Sequence, residues 1–380
     1  MFKVADYLIQ SQPQRLPTAT AQLLPLDTRG AGSAVFSLWV LLTAIAKIGR
    51  GRLSGRLAGV HVNLAERMSL FRKGSLIAVC AVLGVPTVLH LHAQMQGFYC
   101  SLPVALRALT RWIFSLPRAV IVIGPNARTF VTEVLHVPPD RVRVIINGVP
   151  EPEPEPERKP APDEVSRPAP MDACHRILFL GNLSDRKGVL DLLRALAQPA
   201  LDLSRLEVTI AGGGDVARYL AKARELGVDG VVRFEGWCDQ KKVSRLLANC
   251  DMLVLPSHDE VLPLAILEAL AHGVAVVTTA VGEIPSLLTD GVDAIFVTVA
   301  DPASIAAGMQ KVLEVPGLRQ SLATNGRALY LRSFCLLTFF SNVASVHRRY
   351  FGIASHLEEA LPPTLDCQDL ADPASAMHRL

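Results

Sequence analysis

The sequence predicts two α/β domains, each built on a parallel β-sheet with helices on both faces. The chain has 380 residues, half of them hydrophobic, which is more than one ordinary core needs and suits two domains. Short β-rich runs alternate with helical patterns in both halves, and this alternation is typical of parallel sheets. A segment rich in proline and charge, Pro150 to Pro170, predicts a stiff, solvated linker near the middle of the chain. Two such domains leave a cleft, where ligands bind at the carboxyl ends of the strands.

The predicted strands are short runs of β-branched and aliphatic residues. In the first half they are Leu23–Leu26, Val60–Asn63, Thr87–Leu91, Val120–Ile123 and Val142–Ile146. In the second half they are Ile177–Leu180, Leu206–Ala211, Val231–Glu235, Met252–Leu255, Val274–Thr278 and Ile295–Val297. The helical patterns lie between these strands. They are Val104–Phe114, Ala127–Leu135, Gly188–Ala197, Ala217–Glu225, Val243–Asn249, Leu264–His272 and, near the end, Leu337–Tyr350.

Composition excludes several classes of protein. The net charge of +3 is too small for a nucleic-acid-binding protein, although the charge is unevenly distributed. Seven scattered cysteines without a C-x-x-C pair do not form a disulfide framework and suit a reducing compartment. We recognise no signal peptide, and the apolar run Ala34–Ala46 is too short to span a bilayer. Ser75–Leu91 is interrupted by Gly84 and Pro86, so we interpret it as a buried helix and strand and expect a soluble or peripheral protein.

The strongest functional pattern follows the predicted strand Met252–Leu255. It reads P-S-H-D-E-V-L-P-L-A-I-L-E-A-L-A-H-G and runs from Pro256 to Gly273. The pattern places Glu260 on the loop at the carboxyl end of the strand and Glu268 on the following helix. A helix start presents unpaired N–H groups to an anion, and two carboxylates can accept bonds from a polyhydroxylated ligand. Ordinary surface charge is the alternative interpretation, but the strand and the small-residue helix favour a ligand site.

This segment resembles glycosyltransferase family 4, which carries an E-x7-E signature after a P-S tract and before a small-residue helix and a G-x-x-V-V strand. The matching residues are Glu260, Glu268, Gly273 and Val276–Val277. The resemblance covers most of the chain, from Val4 to about Phe351, and is stronger in the second half. It implies the GT-B fold, in which two Rossmann-like domains face a cleft.

The resemblance assigns roles around the E-x7-E pattern. Glu260 is expected to face the donor sugar and Glu268 to hold the ribose hydroxyls. The backbone of the stretch Leu262, Pro263 and Leu264 is expected to approach the donor sugar and phosphate. The family usually has glycine after the first glutamate, whereas this chain has Val261, whose side chain we expect to crowd the donor.

A basic loop, G-N-L-S-D-R-K-G, follows the predicted strand Ile177–Leu180. Its counterpart in the family reads roughly G-R-x-x-x-x-K-G and neutralises the donor pyrophosphate. The resemblance therefore implies a donor role for Gly181, Asn182, Arg186 and Lys187. Lys187 matches the family, whereas Asn182 stands where arginine is common, so Arg186 is expected to supply the missing charge. For an isolated basic loop, solvated surface is the alternative.

Three further patterns are weaker. Gly213 lies in A-G-G-G-D, where either a ligand or a tight turn explains the glycines. Trp237 ends F-E-G-W, which in the family lies near the nucleotide base, although a packing role is equally open. In H-L-H-A-Q, the resemblance selects His92 as the catalytic histidine that reaches the donor sugar across the cleft, with His90 as the fallback. A histidine at a strand end is usually structural.

Cations cluster in the first half beside an apolar stretch. They are Arg29, Lys47, Arg50, Arg52, Arg56, Arg72 and Lys73. Such a combination suits the surface of an anionic membrane, or an acceptor whose diphosphate is attached to a lipid. A core helix with a solvated loop is the alternative. These segments are similar to a subset of family 4 that extends polyprenyl-diphosphate-linked sugars in bacterial exopolysaccharide assembly.

The predicted organisation has an N-terminal Rossmann-like acceptor domain (1–149), a linker (150–171) and a C-terminal Rossmann-like donor domain (172–330). A C-terminal helix (331–355) is expected to cross back to the N-terminal domain, and residues 356–380 to form a flexible tail. The family opens with a strand and a glycine-rich loop before a helix similar to V-A-D-Y-L-I, where this chain begins. We therefore expect the first strand of the N-terminal sheet to be missing.

The resemblance implies a retaining, metal-independent hexosyltransferase with His92, Lys187 and Glu260 as catalytic residues. The expected donor is GDP-mannose or a UDP-hexose, and the expected acceptor is a polyprenyl-diphosphate-linked glycan at the cytoplasmic membrane face. No nucleic-acid partner and no cofactor are expected. No metal is expected either, because we see no Asp-x-Asp motif and Lys187 is expected to compensate the charge of the donor instead. The leaving phosphate would take the acceptor proton. A non-catalytic nucleotide-sugar-binding module of an assembly complex is the alternative, and a GT-B phosphorylase or epimerase is a weaker third.

Overall fold

The computed structural model describes residues 2–11, 21–30, 32–65, 67–153 and 174–353. Two parallel sheets organise these residues, as the sequence predicts. Most of the predicted linker and all of the predicted tail lie outside the described residues.

The N-terminal sheet has four parallel strands in the spatial order β1-β2-β3-β4. The strands are β1 (Val60–Leu64), β2 (Thr87–Leu91), β3 (Ala119–Val122) and β4 (Val142–Val144). The helices before β4 are α1 (Phe2–Gln10), α2 (Ala34–Leu53), α3 (Met68–Val82), α4 (Met95–Ser101), α5 (Val104–Ser115) and α6 (Pro125–Thr129). A π-helical turn, Phe130–Val134, continues α6.

Both faces of the N-terminal sheet are covered, which explains why every residue of β2 is buried. Leu89 packs in a core with α2, α3 and α5. Val88, its neighbour on the opposite face, packs in a second core with α1 and with the last helix of the chain. That helix, α14 (Leu336–Phe351), therefore lies against the N-terminal sheet.

The C-terminal sheet has six parallel strands in the spatial order β10-β9-β8-β5-β6-β7. The strands are β5 (His175–Leu180), β6 (Leu206–Ala211), β7 (Val232–Gly236), β8 (Met252–Leu255), β9 (Ala275–Thr279) and β10 (Ile295–Val297). The helices are α7 (Val189–Leu196), α8 (Val216–Glu225), α9 (Gln240–Ala248), α10 (Leu264–Ala271), α11 (Ile284–Leu287), α12 (Pro302–Glu314) and α13 (Leu318–Ser333). The order reverses between β5 and β8, so their carboxyl ends form the crevice where a doubly wound sheet binds ligands.

Two sequence-based assignments are corrected. Leu23–Leu26 is not a strand, because this stretch is irregular and Leu24 is 75% exposed. The helix predicted over Ala127–Leu135 begins earlier, at Pro125, and widens into the π-helical turn. Proline fixes the backbone for a first helical turn, which explains the earlier start.

Candidate functional site

An ion pair between Lys187 and Glu260 joins the two loops at the crevice. Lys187 ends a short 3-10 turn after β5, Glu260 lies on the loop after β8, and the ammonium contacts Glu260 Oε1. Arg186 adds a second cation, with its guanidinium 3.7 Å from the same carboxylate oxygen and 2.6 Å from the carbonyl oxygen of Asp259. Glu260 is only 9% exposed, so the pair lies in the crevice and not on the open surface.

Two glycines allow the backbone segments of the crevice to approach each other. Gly188 has a φ of +74°, and a β-carbon there would lie 2.1 Å from the carbonyl oxygen of Pro256. Gly282 has a φ of +61°, and a β-carbon there would lie 1.9 Å from the carbonyl oxygen of Glu260. Any larger residue would push the loops apart, so these glycines fix the position of Glu260.

Glu268 lies on α10 and is 4% exposed. Gln240, at the start of α9, donates a hydrogen bond of 3.5 Å to Glu268 Oε1. Tyr7 of α1 comes from the N-terminal domain, and burial together with the nearby Glu268 carboxylate raises its pKa. The Tyr7 hydroxyl is buried without a hydrogen-bond partner among the described residues. A buried, unpaired hydroxyl is costly, so this group is available to a ligand.

The first turn of α10 has no side-chain cap. Its N-cap position is Pro263, which carries no hydrogen-bonding side chain. Leu262 is buried in the core of the C-terminal domain, and Leu264 packs against both this core and the cluster that contains α1. The two leucine side chains are thus structural, while the uncapped helix start leaves N–H groups for an anion.

The glycine-rich loop after β6 lies beside Asn182 and Trp237. A β-carbon on Gly213 would be 4.0 Å from both Asn182 Oδ1 and Trp237 Cδ1. Trp237 is 76% exposed, so it is not a packing residue. Gly212 approaches so closely that a β-carbon would lie 1.8 Å from the carbonyl oxygen of Gly181. The structure therefore brings together the donor-site candidates predicted on three separate loops.

Val261 does not occupy a backbone conformation that requires glycine, because it is not among the residues of positive φ. It lines a cavity of about 410 Å³ between the domains, together with Gln94, Asn126 and Phe130. Val261 therefore faces the N-terminal domain. The expected crowding of the donor by this side chain stays a prediction.

The C-terminal domain holds the N-terminal domain through Glu283. This buried carboxylate accepts hydrogen bonds from the N–H groups of Asn126 (3.1 Å) and Ala127 (2.7 Å) at the start of α6. Asn126 Nδ2 donates in return to the carbonyl oxygen of Gly282, at 2.8 Å. A β-carbon on Gly124 would lie 2.3 Å from Glu283 Oε2, so the contact requires glycine at this position.

His92 follows β2 on the N-terminal side of the cleft, and its expected reach to the donor sugar stays a prediction. Its Nε2 is 2.8 Å from Asn63 Oδ1. Gln94 lies two residues after His92, and its amide nitrogen is directed at the C-terminal domain. This nitrogen donates to Asp259 Oδ1 (2.7 Å) and to the carbonyl oxygen of Glu260 (3.1 Å). The loop that carries His92 therefore touches the loop that carries Glu260.

A cluster of histidines lies behind His92. His61 Nδ1 is 2.8 Å from His347 Nε2 on α14, and His61 Nε2 is 3.3 Å from His90 Nδ1. Burial, with nearby positive charge, lowers the pKa of His92 to about 3 and holds those of His61 and His90 well below 6.5. These three imidazoles are neutral near pH 7. His90, the fallback candidate, is completely buried and serves this cluster.

The predicted acceptor-side cations separate into two groups. Lys73 on α3 is partly buried and donates to the carbonyl oxygen of Asn63, directly below His92. Burial and the adjacent Arg72 lower the pKa of Lys73 to about 8. Arg72 Nε is buried without a hydrogen-bond partner among the described residues. The other five cations, Arg29, Lys47, Arg50, Arg52 and Arg56, are exposed.

Within the described ranges, no group of three or more histidine, cysteine, aspartate or glutamate side chains is arranged to hold a metal ion. Across the same residues, the helices are too short or too polar to cross a membrane.

Both halves of the chain match known protein families. Residues 172–329 match the family described as glycosyl transferases group 1, and residues 52–151 match glycosyltransferase family 4. The chain is 31% identical over 212 residues to an uncharacterized glycosyltransferase of Methanocaldococcus jannaschii, covering 55% of this chain and 54% of the relative. It is 34% identical over 223 residues to a D-inositol 3-phosphate glycosyltransferase of Thermomonospora curvata, covering 54% and 51%. The chain thus spans about half the length of these curated relatives.

Solved structures show the same fold. Sucrose-phosphate synthase from Thermosynechococcus elongatus superposes with a TM-score of 0.70 at 17% identity, covering 92% of each chain. Anabaena HepE, in complex with UDP and glucose, superposes with a TM-score of 0.64 at 17% identity, covering 84% of each chain. Each of the two matched segments thus resembles a glycosyltransferase family, and the chain has the GT-B fold.

Several residues of the site lay outside the sequence-based prediction. Tyr7, Asn63, Gln240 and Glu283 carry no motif of their own, because each reaches the site only through the packing of distant elements. Asn63 had a weak signal, since it occupies the carboxyl end of a predicted strand beside the one that carries His92.

Proposed function

We propose that the chain is a retaining glycosyltransferase that moves a hexose, mannose or glucose, from a nucleotide sugar to a lipid-diphosphate-linked oligosaccharide. The observation that carries the proposal is the Lys187–Glu260 ion pair, with Glu268 on the adjoining helix, at the crevice of the C-terminal sheet. The two glycosyltransferase family matches support it.

The donor pocket supplies a partner for each part of a nucleotide sugar. Lys187 and Arg186, with the uncapped start of α10, would neutralise the diphosphate. Glu260 and Glu268 would accept hydrogen bonds from the sugar and the ribose, and Trp237 would lie against the base. Lys187 is paired with Glu260, and a donor diphosphate would take the place of this carboxylate as its anionic partner.

The proposed mechanism depends on electrostatics rather than on a protein base. The bond between the anomeric carbon and the diphosphate breaks, and the acceptor hydroxyl oxygen forms the new bond on the same face, which retains the anomeric configuration. The departing diphosphate, stabilised by Lys187 and Arg186, takes the proton of this hydroxyl. These two cations supply the charge that a divalent ion supplies in metal-dependent transferases. His92 acts as a neutral hydrogen-bonding group, because its pKa of about 3 keeps it uncharged.

The acceptor side is electropositive. Lys73 lies below His92, has a backbone carbonyl oxygen as its hydrogen-bond acceptor, and is accompanied by the buried Nε of Arg72. Lys73 forms no ion pair with a carboxylate among the described residues, although the nearby Asp27 carboxylate acts on it, and a partly buried ammonium in this position gains from an anionic ligand. A diphosphate between a lipid and a short glycan would meet this requirement. We extend the proposal to exopolysaccharide assembly on the cytoplasmic face of the cell membrane.

The test is a panel of GDP-mannose, UDP-glucose and related donors with lipid-extracted acceptors. Product NMR would show whether the anomeric configuration is retained, and calorimetry with GDP and UDP would measure donor affinity separately. Turnover in the presence of a chelator is expected. Unchanged nucleotide affinity in Glu268→Ala would contradict the assignment of the pocket. Donor binding without transfer to any acceptor would favour the alternative, a non-catalytic binding module.

A further inference from the structure

One face of α2 is apolar and uncovered. Its exposed side chains are Val35 (79% exposed), Leu38 (57%), Trp39 (60%), Leu42 (55%) and Leu53 (89%). At 3.6 residues per turn they fall on one side of the helix, and we call them the α2 stripe. The opposite side, with Leu41, Ala44 and Ile48, packs in the core of the N-terminal domain.

The α2 stripe is too extended to be incidental exposure. Val35, Leu38, Trp39 and Leu42 cover about 10 Å along the helix axis, and Leu53 extends the same side about 16 Å further, beyond the small residues Ala46 and Gly49. Phe36 stacks on Trp39 with ring centroids 6.0 Å apart, which widens the apolar face at its N-terminal end. Soluble domains rarely expose continuous apolar patches of this size, and those that exist usually mark an interface.

Charge identifies the partner. Residues 28–65 contain no aspartate or glutamate, while Lys47, Arg50, Arg52 and Arg56 lie in and just after the last turns of α2. Residues 1–149 carry 16 Lys and Arg against five Asp and Glu, whereas the remaining residues carry 22 against 30. The surface around the stripe therefore has a strong positive potential.

This charge argues against a second copy of the chain as the occupant, since two copies would bring the same cations together. An anionic bilayer satisfies both features of the surface. The apolar stripe would be buried among the acyl chains. The lysine and arginine side chains beside it would pair with the lipid phosphates. Trp39, with one polar N–H on an apolar ring, suits the boundary between these regions.

We propose that α2 lies in the plane of an anionic membrane surface, with the stripe among the acyl chains and Lys47, Arg50 and Arg56 on the headgroups. The inference rests on the proposed function for its lipid acceptor and adds the surface that reaches it. α2 packs directly on α3, which carries Lys73. Docking of α2 therefore places Lys73 about one helix diameter, roughly 10 Å, from the headgroup layer.

The experiment uses the full chain and vesicles of phosphatidylcholine, with or without phosphatidylglycerol. The chain has three tryptophans, so the double variant Trp112→Phe/Trp237→Phe leaves Trp39 as the reporter. We expect a blue shift of Trp39 emission on anionic vesicles and no shift on neutral ones. In vesicle sedimentation, Leu38→Ser/Leu42→Ser should lower the partition coefficient onto anionic vesicles at least tenfold. Arg50→Gln/Arg56→Gln should lower it about fivefold per charge at low salt.

The matched control is Val104→Ser, which removes an apolar side chain that is 81% exposed on α5, away from the stripe. This variant should bind vesicles as the wild type does. Equal vesicle binding by Leu38→Ser/Leu42→Ser would overturn the proposal. Self-association without lipid that the same variant abolishes would instead assign the stripe to a second copy. The α2 variants should bind nucleotide with wild-type affinity in calorimetry. If the wild type itself bound no nucleotide, that result would contradict the donor pocket and leave the membrane surface untouched.

Discussion

Glu283 of the C-terminal domain caps a helix of the N-terminal domain, with its carboxylate 2.7 Å from the backbone nitrogen of Ala127. The first N–H groups of a helix lack partners within the helix and carry the positive end of its dipole. A carboxylate from the opposite domain therefore fixes the cleft at this point, beside Val261 and the cavity between the domains.

Removing this charge should loosen the domain contact. Glu283→Gln keeps the size of the side chain, but it replaces a carboxylate that accepts two backbone N–H groups. We expect a loss of about 1–3 kcal/mol of stability in urea unfolding and faster proteolysis near the cleft. Glu207→Gln, at an exposed glutamate on β6, is the control and should change stability by less than about 0.5 kcal/mol. Equal stability of the two variants would show that the contact contributes nothing.

Donor affinity should depend on Glu268. Glu268→Gln keeps the shape but removes the charge from a carboxylate that is 4% exposed. A hydrogen bond to a charged group contributes about 1.5–3 kcal/mol, so we expect GDP or UDP to bind about 10- to 100-fold more weakly in calorimetry. Glu314→Gln, at the end of α12 and far from the crevice, provides the comparison and should retain wild-type affinity.

Substitution of Val261 separates two roles for this residue. Because Val261 faces the cavity between the domains, Val261→Gly should leave donor affinity within about twofold and raise KM for the acceptor. Glycine should also cost about 1 kcal/mol of stability through backbone entropy, which Val261→Ala largely avoids. If donor affinity instead rose tenfold in both variants, the valine would be crowding the nucleotide sugar as the sequence suggested.

Binding of an anionic acceptor should weaken as the pH rises through about 8. Lys73 is charged below this pH and loses its proton above it, since burial lowers its pKa to about 8. The KM for a diphosphate-linked acceptor should therefore rise between pH 7 and 9, with the donor held at saturation. Lys73→Arg keeps its charge over this range and should flatten the profile, whereas Lys73→Ala should raise KM at every pH. A wild-type profile unchanged in Lys73→Ala would rule out this contact.

The buried histidines should make the fold sensitive to acid. The folded-state pKa values of His61, His90 and His92 lie below the unfolded value of about 6.5, so below this pH the unfolded chain binds more protons. For His92, whose folded pKa is about 3, protonation of the unfolded chain should remove up to about 1.4 kcal/mol of stability per pH unit as the pH falls from about 6 to 4, and His61 and His90 should act in the same direction. Urea midpoints at pH 7.5, 5.5 and 4.5 measure this slope. His92→Gln should lower this slope by about 1.4 kcal/mol per pH unit. His136→Gln, at a solvent-exposed histidine, is the control variant.

The sequence predicted the C-terminal domain better than the N-terminal one, and the reason is physical. Strands such as Leu206–Ala211 and Met252–Leu255 are buried on both faces, so their apolar runs and bounding turns mark them without ambiguity. Leu23–Leu26 is also apolar, but it contains Pro25, which has no backbone N–H to donate to a sheet, and no strand among the described residues pairs with it. Its apolar residues gave a false signal, because local preference does not decide sheet pairing.

The candidate site was predictable where it depends on local motifs. Lys187, Glu260 and Glu268 lie on loops and a helix start at adjacent strand ends, a position that strand order alone implies. Tyr7 and Glu283 were not predictable, because each acts on a residue more than 150 positions away and the contact exists only after the domains pack. The sequence also did not predict which cations are partly buried. Lys73 is partly buried and Arg50 is exposed, although their sequence contexts are alike.

The packing of α14 on the N-terminal sheet has a consequence for how the chain can be divided. Val343 and Phe339 on this helix fill the same core as Val88 and Ile121 on the sheet, although more than 200 residues separate them. The first 149 residues expressed alone would leave that hydrophobic face open to water, and a chain shortened before Leu336 would do the same. The first half should therefore be recovered in soluble form only when α14 is present, either in the same chain or by co-expression. During synthesis, the first half can complete its folding only after the ribosome has released α14.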